Sequence, residues 1–181
     1  MYGFWPTSGY SWLKGGKGSV TEGGVRVPAM AWWPGMIQPD QDPVDMIHVT
    51  DLYTTAARLG GALDKIPSDR VIDGIDQTAL LMNGEGHGRR NYLFYYSGPS
   101  LAAVRWMDIK AIIKGESHGG LPALDICNVV RDPGERFCSM YPYLWAVSPF
   151  QNMVKTRFDL IKTFPNRKPD LPEEAGLTPH D

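Results

Sequence analysis

The sequence predicts an α/β fold that is not complete in itself: the end of a large mixed sheet, then a small antiparallel sheet with a helix. Three observations predict it. The continuous apolar run "VRVPAMAWWPG" (25–35) has the texture of a strand covered on both faces, yet one helix cannot cover it. From 92 to 135, short aromatic and β-branched runs alternate with Gly-containing turns, the pattern of an antiparallel sheet. From 149 to 164 the apolar residues recur at helical spacing. The expected divisions are 1–90, 91–165 and a flexible tail at 166–181.

Residues 1–24 read as a loop broken by Gly and Pro. Pro28 has no N–H for a ladder, so the strand proper is expected at 29–33, ended by Pro34 and Gly35, with Trp32 and Trp33 in the core. After the polar connection "QPDQDPVDM", the segment "HVTDLYTTAARLGG" reads as a helix. Thr50 or Asp51 would cap its start, Leu52, Tyr53, Ala56 and Leu59 share one face, and Gly60–Gly61 stop it. Residues 62–91 read mostly as loop with a short apolar segment, "QTALLMNG". The last helix is expected over 149–164 with Met153, Val154, Phe158 and Ile161 on one side, and the tail after it is Pro-rich and charged.

Apolar residues make up 43% and charged residues 21%, as in ordinary globular proteins. The net charge of -2 excludes a broad basic field for nucleic acid or anionic lipid, so any cationic site is local. No apolar run has the length of a membrane span, and the N-terminal "MYGFWPTSGYSW" lacks the basic start and apolar stretch of a secretory signal. Cys127 and Cys138 do not match a paired zinc motif. Free buried thiols are the expectation, with a disulfide as the alternative.

The stretch "WLKGGKGSVTEGGVRVP" (12–28) raises the functional question. As a phosphate-binding loop it fails twice: Ser11 stands where the first glycine belongs, and Gly18 follows Lys17 where Ser or Thr belongs. The better reading is a glycine-lined loop that carries one ammonium, Lys17, towards an anion. Glu22 and Arg26, four apart, would pair to brace it. The competing reading is a solvated turn that happens to bear a lysine.

Here the residues say more. "GGKGSVTEGGVRVPAMAWWPGMI" closely resembles the K-G-[ST]-x-x-E-G-G-x-R-x-P…W-P-G segment of the sulfatase family, within the alkaline-phosphatase-like superfamily. Four later segments resemble that family in the same order: "VTDLYTTAARLGGA", with Thr54 for a frequent proline; "VIDGIDQTALL", with Ala79 for a proline; "AAVRWMDIKAII"; and "LDICNVVRDPGER". By that resemblance Lys17 is the catalytic, substrate-binding lysine that contacts the sulfate group, and Glu22, Gly23, Gly24 and Arg26 shape its loop. Residues 1–90 would be the C-terminal end of the catalytic domain, and 91–165 its small C-terminal subdomain. A pre-placed cation suits sulfate ester cleavage, which builds negative charge on the sulfuryl and leaving oxygens.

The resemblance also implies parts that this stretch does not contain. The family's nucleophile motif, Cys or Ser-x-Pro-x-Arg, whose first residue becomes formylglycine, does not occur. "CNVVR" comes nearest, but Val129 replaces the proline and the segment lies in the strand-and-turn match. The family's metal ligands include an Asp-Asn pair some twenty residues before the lysine, and no metal ligand is assigned here. A calcium-like divalent ion is expected in a full-length member, and no cofactor in this chain. The expectation is a C-terminal sulfatase portion, inactive alone, whose partners are a sulfate ester and either an N-terminal half or further copies of itself. Two alternatives stand beside it: a non-catalytic, self-associating fragment or subunit, and a phosphoester or phosphonate hydrolase of the same superfamily. His87 in "GEGHG" and His118 in "GESHG" are further candidates for touching substrate, although glycine turns with a histidine are commonly plain turns. Trp5 and Trp12 would line a substrate entrance or have lost a covering partner.

Overall fold

The structure is a computed structural model. It describes residues 11–116 and 122–165, and only the backbone of 115, 116, 122 and 123. The expected tail, Trp5 and His118 lie outside the described residues.

The sheet is the best-formed part. Strands β1 (Tyr92–Ser97), β2 (Ser100–Trp106), β3 (Ile109–Glu116) and β4 (Pro122–Asn128) form an antiparallel meander in chain order. The register sets Phe94 opposite Val104, Val104 opposite Ala111, and Ala111 opposite Ile126, so these residues share one face. Helix α4 (Leu144–Thr163) covers that face. Its Ala146 and Phe150 close a core with Val104, Ile109, Ala111 and Ile126. Burying Phe150 alone stabilises by roughly 1.5–3 kcal/mol. Trp106 meets the Phe150 ring edge-on at 6.3 Å and the Trp145 ring at 6.1 Å.

Helix α4 starts earlier than the expected 149, because the turn at Tyr141–Tyr143 leads straight into it; Pro149 lies inside the helix, where its missing N–H forgoes one i to i−4 hydrogen bond. Met153, Val154 and Ile161 are partly buried, whereas Phe158 is exposed. Arg157 takes the inward place: it clasps both oxygens of Asp73 and lies over the Phe94 and Tyr96 rings.

The opposite sheet face carries Tyr95, Ala103, Lys110 and Cys127, all buried. Its cover is the glycine-rich loop that ends in the short helix α1 (Glu22–Val25). The sheet is therefore sandwiched between a helix and a loop drawn from the far end of the sequence.

The expected strand at 29–33 is not a strand. Residues 26–33 are irregular, and among the described residues no neighbouring strand pairs with them. A lone strand has nothing to satisfy its ladder groups. Trp32 and Trp33 are accordingly exposed rather than core.

Helix α2 (Asp51–Leu59) is where the pattern placed it, but its apolar face is turned outward. Leu52, Tyr53 and Leu59 are exposed, while Asp51 and Thr55 are buried. Neither expected cap operates as one: no side chain caps the start of the helix. Asp51 instead accepts from the N–H groups of His48 and Ile75 and from Arg90. Gln77 donates its N–H to Thr55. The helix stop is as expected: Gly61 at φ +66° allows Gly61 N–H to reach Arg58 O and Ala62 N–H to reach Ala57 O. The apolar segment at 78–83 forms the short helix α3 (Thr78–Asn83).

The expectation of free thiols is corrected, since Cys127 and Cys138 form a disulfide. The turn after β4 folds back so that Ser139 N–H reaches Ile126 O at 3.0 Å, which brings the two cysteines together.

Candidate functional site

The glycine loop is folded by its own sequence. Gly23 N–H donates to Lys14 O at 2.8 Å, which closes the turn around Lys17, and Ser19 N–H and Oγ both donate to Gly16 O. Two glycines are required by close approach. A Cβ at Gly23 would lie 2.6 Å from the carbonyl oxygens of Lys14 and Gly15, and one at Gly24 2.3 Å from Ser19 O. Any other residue would push the turn open.

Glu22 anchors the loop, and it is 1% exposed. Arg26 binds its carboxylate at 3.1 Å, the pairing expected from the four-residue spacing. The principal partner is Lys110 on β3, fully buried, whose Nζ lies 2.9 Å from Glu22 Oε1 and 2.9 Å from Glu135 Oε1. Glu135 Oε2 accepts the Glu22 N–H at 2.7 Å, and Glu135 O accepts from Lys14 Nζ at 3.2 Å. The Lys110 ammonium also lies 5.0 Å over the Tyr95 ring. Burial first, and the Glu22 charge second, push the Tyr95 hydroxyl up to about 12, which keeps it neutral beside the carboxylates.

Lys17 has the opposite environment. It stands exposed on the turn, and among the described residues its ammonium has no hydrogen-bond or ion-pair partner. Beside the turn is an open cleft of about 420 Å³, lined by Gly18, Ser19, Val20, Gly24, Val25, His48 and the β1 end from Phe94 to Gly98. The loop thus hides one lysine to hold its fold and leaves another accessible to an anion.

Of the other expected site residues, Glu22, Gly23, Gly24 and Arg26 come together at this loop. His87 lies apart, exposed on the turn after α3, with Nδ1 facing the carbonyls of Gly84 and Glu85. Trp12 is exposed. The histidine at the cleft is His48, not singled out from sequence. Burial, then the Arg90 charge, hold it below its ordinary pKa, so it is neutral near pH 7. Sequence reasoning also missed Lys110 and Glu135 as parts of the site. Both sit in segments that match the family, "AAVRWMDIKAII" and "LDICNVVRDPGER", which was the available signal. Among the described residues, no three of His, Cys, Asp and Glu lie together as a metal ion requires, so this part of the chain does not fit the family's divalent metal.

No protein-family model matches the chain. Steryl-sulfatase of Rattus norvegicus is 43% identical over 93 residues, 51% of this chain and 16% of that protein. N-acetylgalactosamine-6-sulfatase of Mus musculus is 36% identical over 150 residues, 67% of this chain and 28% of that protein. Among solved structures, the PsFucS1 sulfatase from Pseudoalteromonas sp. superposes with a TM-score of 0.80 at 34% identity, covering 91% of this chain and 36% of that one. The chain thus spans less than a third of the length of the curated relatives it matches. Full-length sulfatases carry a divalent metal. The chain belongs to the sulfatase family, and its sequence and α/β fold are those of a C-terminal sulfatase portion.

Proposed function

We propose that this chain supplies the sulfate-gripping cation of a sulfuric ester hydrolase. Lys17 holds the sulfuryl oxygens of a sulfate monoester, while Glu22, Gly23, Gly24 and Arg26 keep its turn in shape. One observation carries this reading: buried counter-charges fix the loop, yet they leave Lys17 itself exposed and unpaired among the described residues. A cation needed only for structure would be paired, as Lys110 is. As charge develops on a sulfuryl group, a fixed ammonium stabilises it without reorganising. In the whole enzyme, residues 1–90 end the catalytic domain and 91–165 form the small subdomain. A formylglycine nucleophile and a calcium-like ion complete the site, and both come from outside these residues. Without a nucleophile the covalent step is missing, so the chain alone does not turn over substrate.

The exposed apolar band supports a second element. Met30, Trp32, Val44, Val49, Leu52 and Tyr53 are all exposed, and large apolar side chains left open suit contact with the rest of the catalytic domain or with another copy.

The test is a thermal denaturation series of the purified 181-residue chain with sodium sulfate against sodium chloride at matched ionic strength. Sulfate should raise the midpoint of the native chain more than that of Lys17→Ala, because a bound ligand stabilises the folded state. Equal shifts in the two proteins would remove Lys17 from the site. Hydrolysis of an aryl sulfate by the purified chain would contradict the division of roles.

A further inference from the structure

The turn that follows β4 holds the Lys17 loop at both ends. Glu135 does so with two different groups: its carboxylate takes the N–H of Glu22 at 2.7 Å, and its carbonyl takes the ammonium of Lys14 at 3.2 Å. Lys17 lies between those two points in the sequence. Glu135 is itself held in an unusual place. Its φ is +49°, a region that a non-glycine residue keeps only when its surroundings impose it. Two constraints impose it here. The Asp132 carbonyl accepts the Glu135 N–H at 2.9 Å, and the Asp132 carboxylate accepts the N–H groups of Arg136 and Phe137 at 2.6 and 2.8 Å. Three residues beyond Glu135, Cys138 is bonded to Cys127, which sits directly opposite Lys110 in the β3–β4 ladder. The disulfide therefore ties the Glu135 turn to the strand beside the lysine that Glu135 neutralises. Cys127 is fully buried, whereas Cys138 is partly accessible and open to attack by a thiol.

We infer that Glu135 and the Cys127–Cys138 disulfide are a redox-dependent clamp that positions the Lys17 turn. Oxidised, the clamp holds the Lys14 and Glu22 ends of the turn at a fixed spacing, and Lys17 is presented from a rigid base. Reduction by a dithiol transfers two electrons and two protons, leaves thiols at Cys127 and Cys138, and closes the dithiol into a cyclic disulfide. The Glu135 turn then keeps its Ser139–Ile126 hydrogen bond and its Lys110 pair but loses its covalent tie to β4, and the loop's common anchor loosens. The consequence for anion binding rests on the reading of Lys17 given above; the mechanical coupling does not.

Amide hydrogen exchange on the full 181-residue chain, with and without dithiothreitol, tests the coupling. Reduction should lower protection of the Gly23, Gly24 and Arg26 amides by about tenfold and change that of Gly60 and Ala62, at the α2 cap, by less than about twofold. Unchanged loop protection in chain shown to be reduced would overturn the inference, and so would an equal loss everywhere, which is plain unfolding. Glu135→Gln, with the disulfide intact, should release the same three amides by about the same factor while the α2 amides hold; loop protection equal to the native chain would again overturn it.

A sodium sulfate titration of both redox states, followed at the Lys17 side-chain resonances, separates the two claims. The reduced chain should need about fivefold more sulfate, since a looser base weakens preorganised binding. Loop release with no sulfate response in either state leaves the clamp standing and sinks the Lys17 reading. A sulfate response that is equal in both states, with unchanged exchange, keeps that reading and sinks the clamp.

Discussion

Two stretches of this chain are comparably apolar in sequence and end in opposite situations. In the sheet, the apolar face of β1–β4 is closed by α4, and the other face is closed by the glycine loop around Lys110. Between residues 26 and 59, by contrast, Met30, Trp32, Val49, Leu52 and Tyr53 face outward. Before Tyr92, Leu80 is the one buried apolar side chain among those described, and what is buried there is chiefly polar: Glu22, Asp51, Thr55, Gln77 and Arg90. The difference teaches that an apolar pattern states which face needs cover, but not where the cover comes from. The sheet finds its second cover 88 positions upstream, in the Glu22–Lys110 pair. The apolar band finds none within the described residues, and local polar bonding through Asp51 and Arg90 holds that region together instead.

The largest effect should come from breaking the covered face. Lys110→Met leaves the buried Glu135 carboxylate without its cation and Glu22 with Arg26 alone, and urea denaturation should show a loss of about 3–5 kcal/mol. The triple variant Glu22→Gln, Lys110→Met, Glu135→Gln removes the charges together and should lose clearly less. A triple variant as unstable as the single one would mean that shape, not charge, makes the cover. Next comes the disulfide: Cys127→Ala with Cys138→Ala opens a loop of a dozen residues and should lower stability by about 2–4 kcal/mol.

Acid should act on the polar region first. His48 is held below 6.5 by burial and by Arg90. Burial raises the Asp51 carboxyl, but hydrogen bonds from Arg90, Ile75 and His48 outweigh it and hold it below 3.8. Both folded values are depressed, so the unfolded chain binds more protons as pH falls. Stability is therefore full above pH 6.5, declines through the His48 window below it, and declines again below 3.8. His48→Gln should flatten the first decline and leave the second. The smallest effect on folding belongs to the apolar band. Trp32→Ser should change stability by less than about 0.5 kcal/mol, yet lower self-association in sedimentation velocity. A large loss of stability there would show that Trp32 is covered after all.

Much of the sheet was legible because its signals are local. Alternation, Gly-containing turns and β-branched runs mark β1, β4 and one run that spans β2 and β3, whose turn at Met107 and Asp108 has no glycine to mark it, and Gly60–Gly61 place the end of α2. The glycine loop was legible as a motif, and its two close-packed glycines explain the "EGG" spelling. What escaped was non-local. In "DIKAIIK", Lys110 and Lys114 alternate with Ile and Ala and read alike as solvent-facing residues of a half-covered strand. Only Lys114 is, paired with Asp125 at the surface, because the loop covers Lys110 and not its neighbour. The disulfide escaped for the same reason: a spacing of eleven says nothing about a turn that returns Cys138 to the side of β4. Trp32 and Trp33 misled because a continuous apolar run looks the same whether or not its neighbours are present.

The account rests on Lys17 as an accessible anion ligand on a rigid base, and site-resolved titration tests this most directly. Inorganic sulfate, added to isotopically labelled chain at low ionic strength, should shift the amides of Gly16, Gly18 and Ser19 and the Lys17 side chain along one saturable curve. Chloride at equal ionic strength should not reproduce it, and Lys17→Ala should abolish it. Shifts that chloride matches, or that persist without Lys17, would contradict the account.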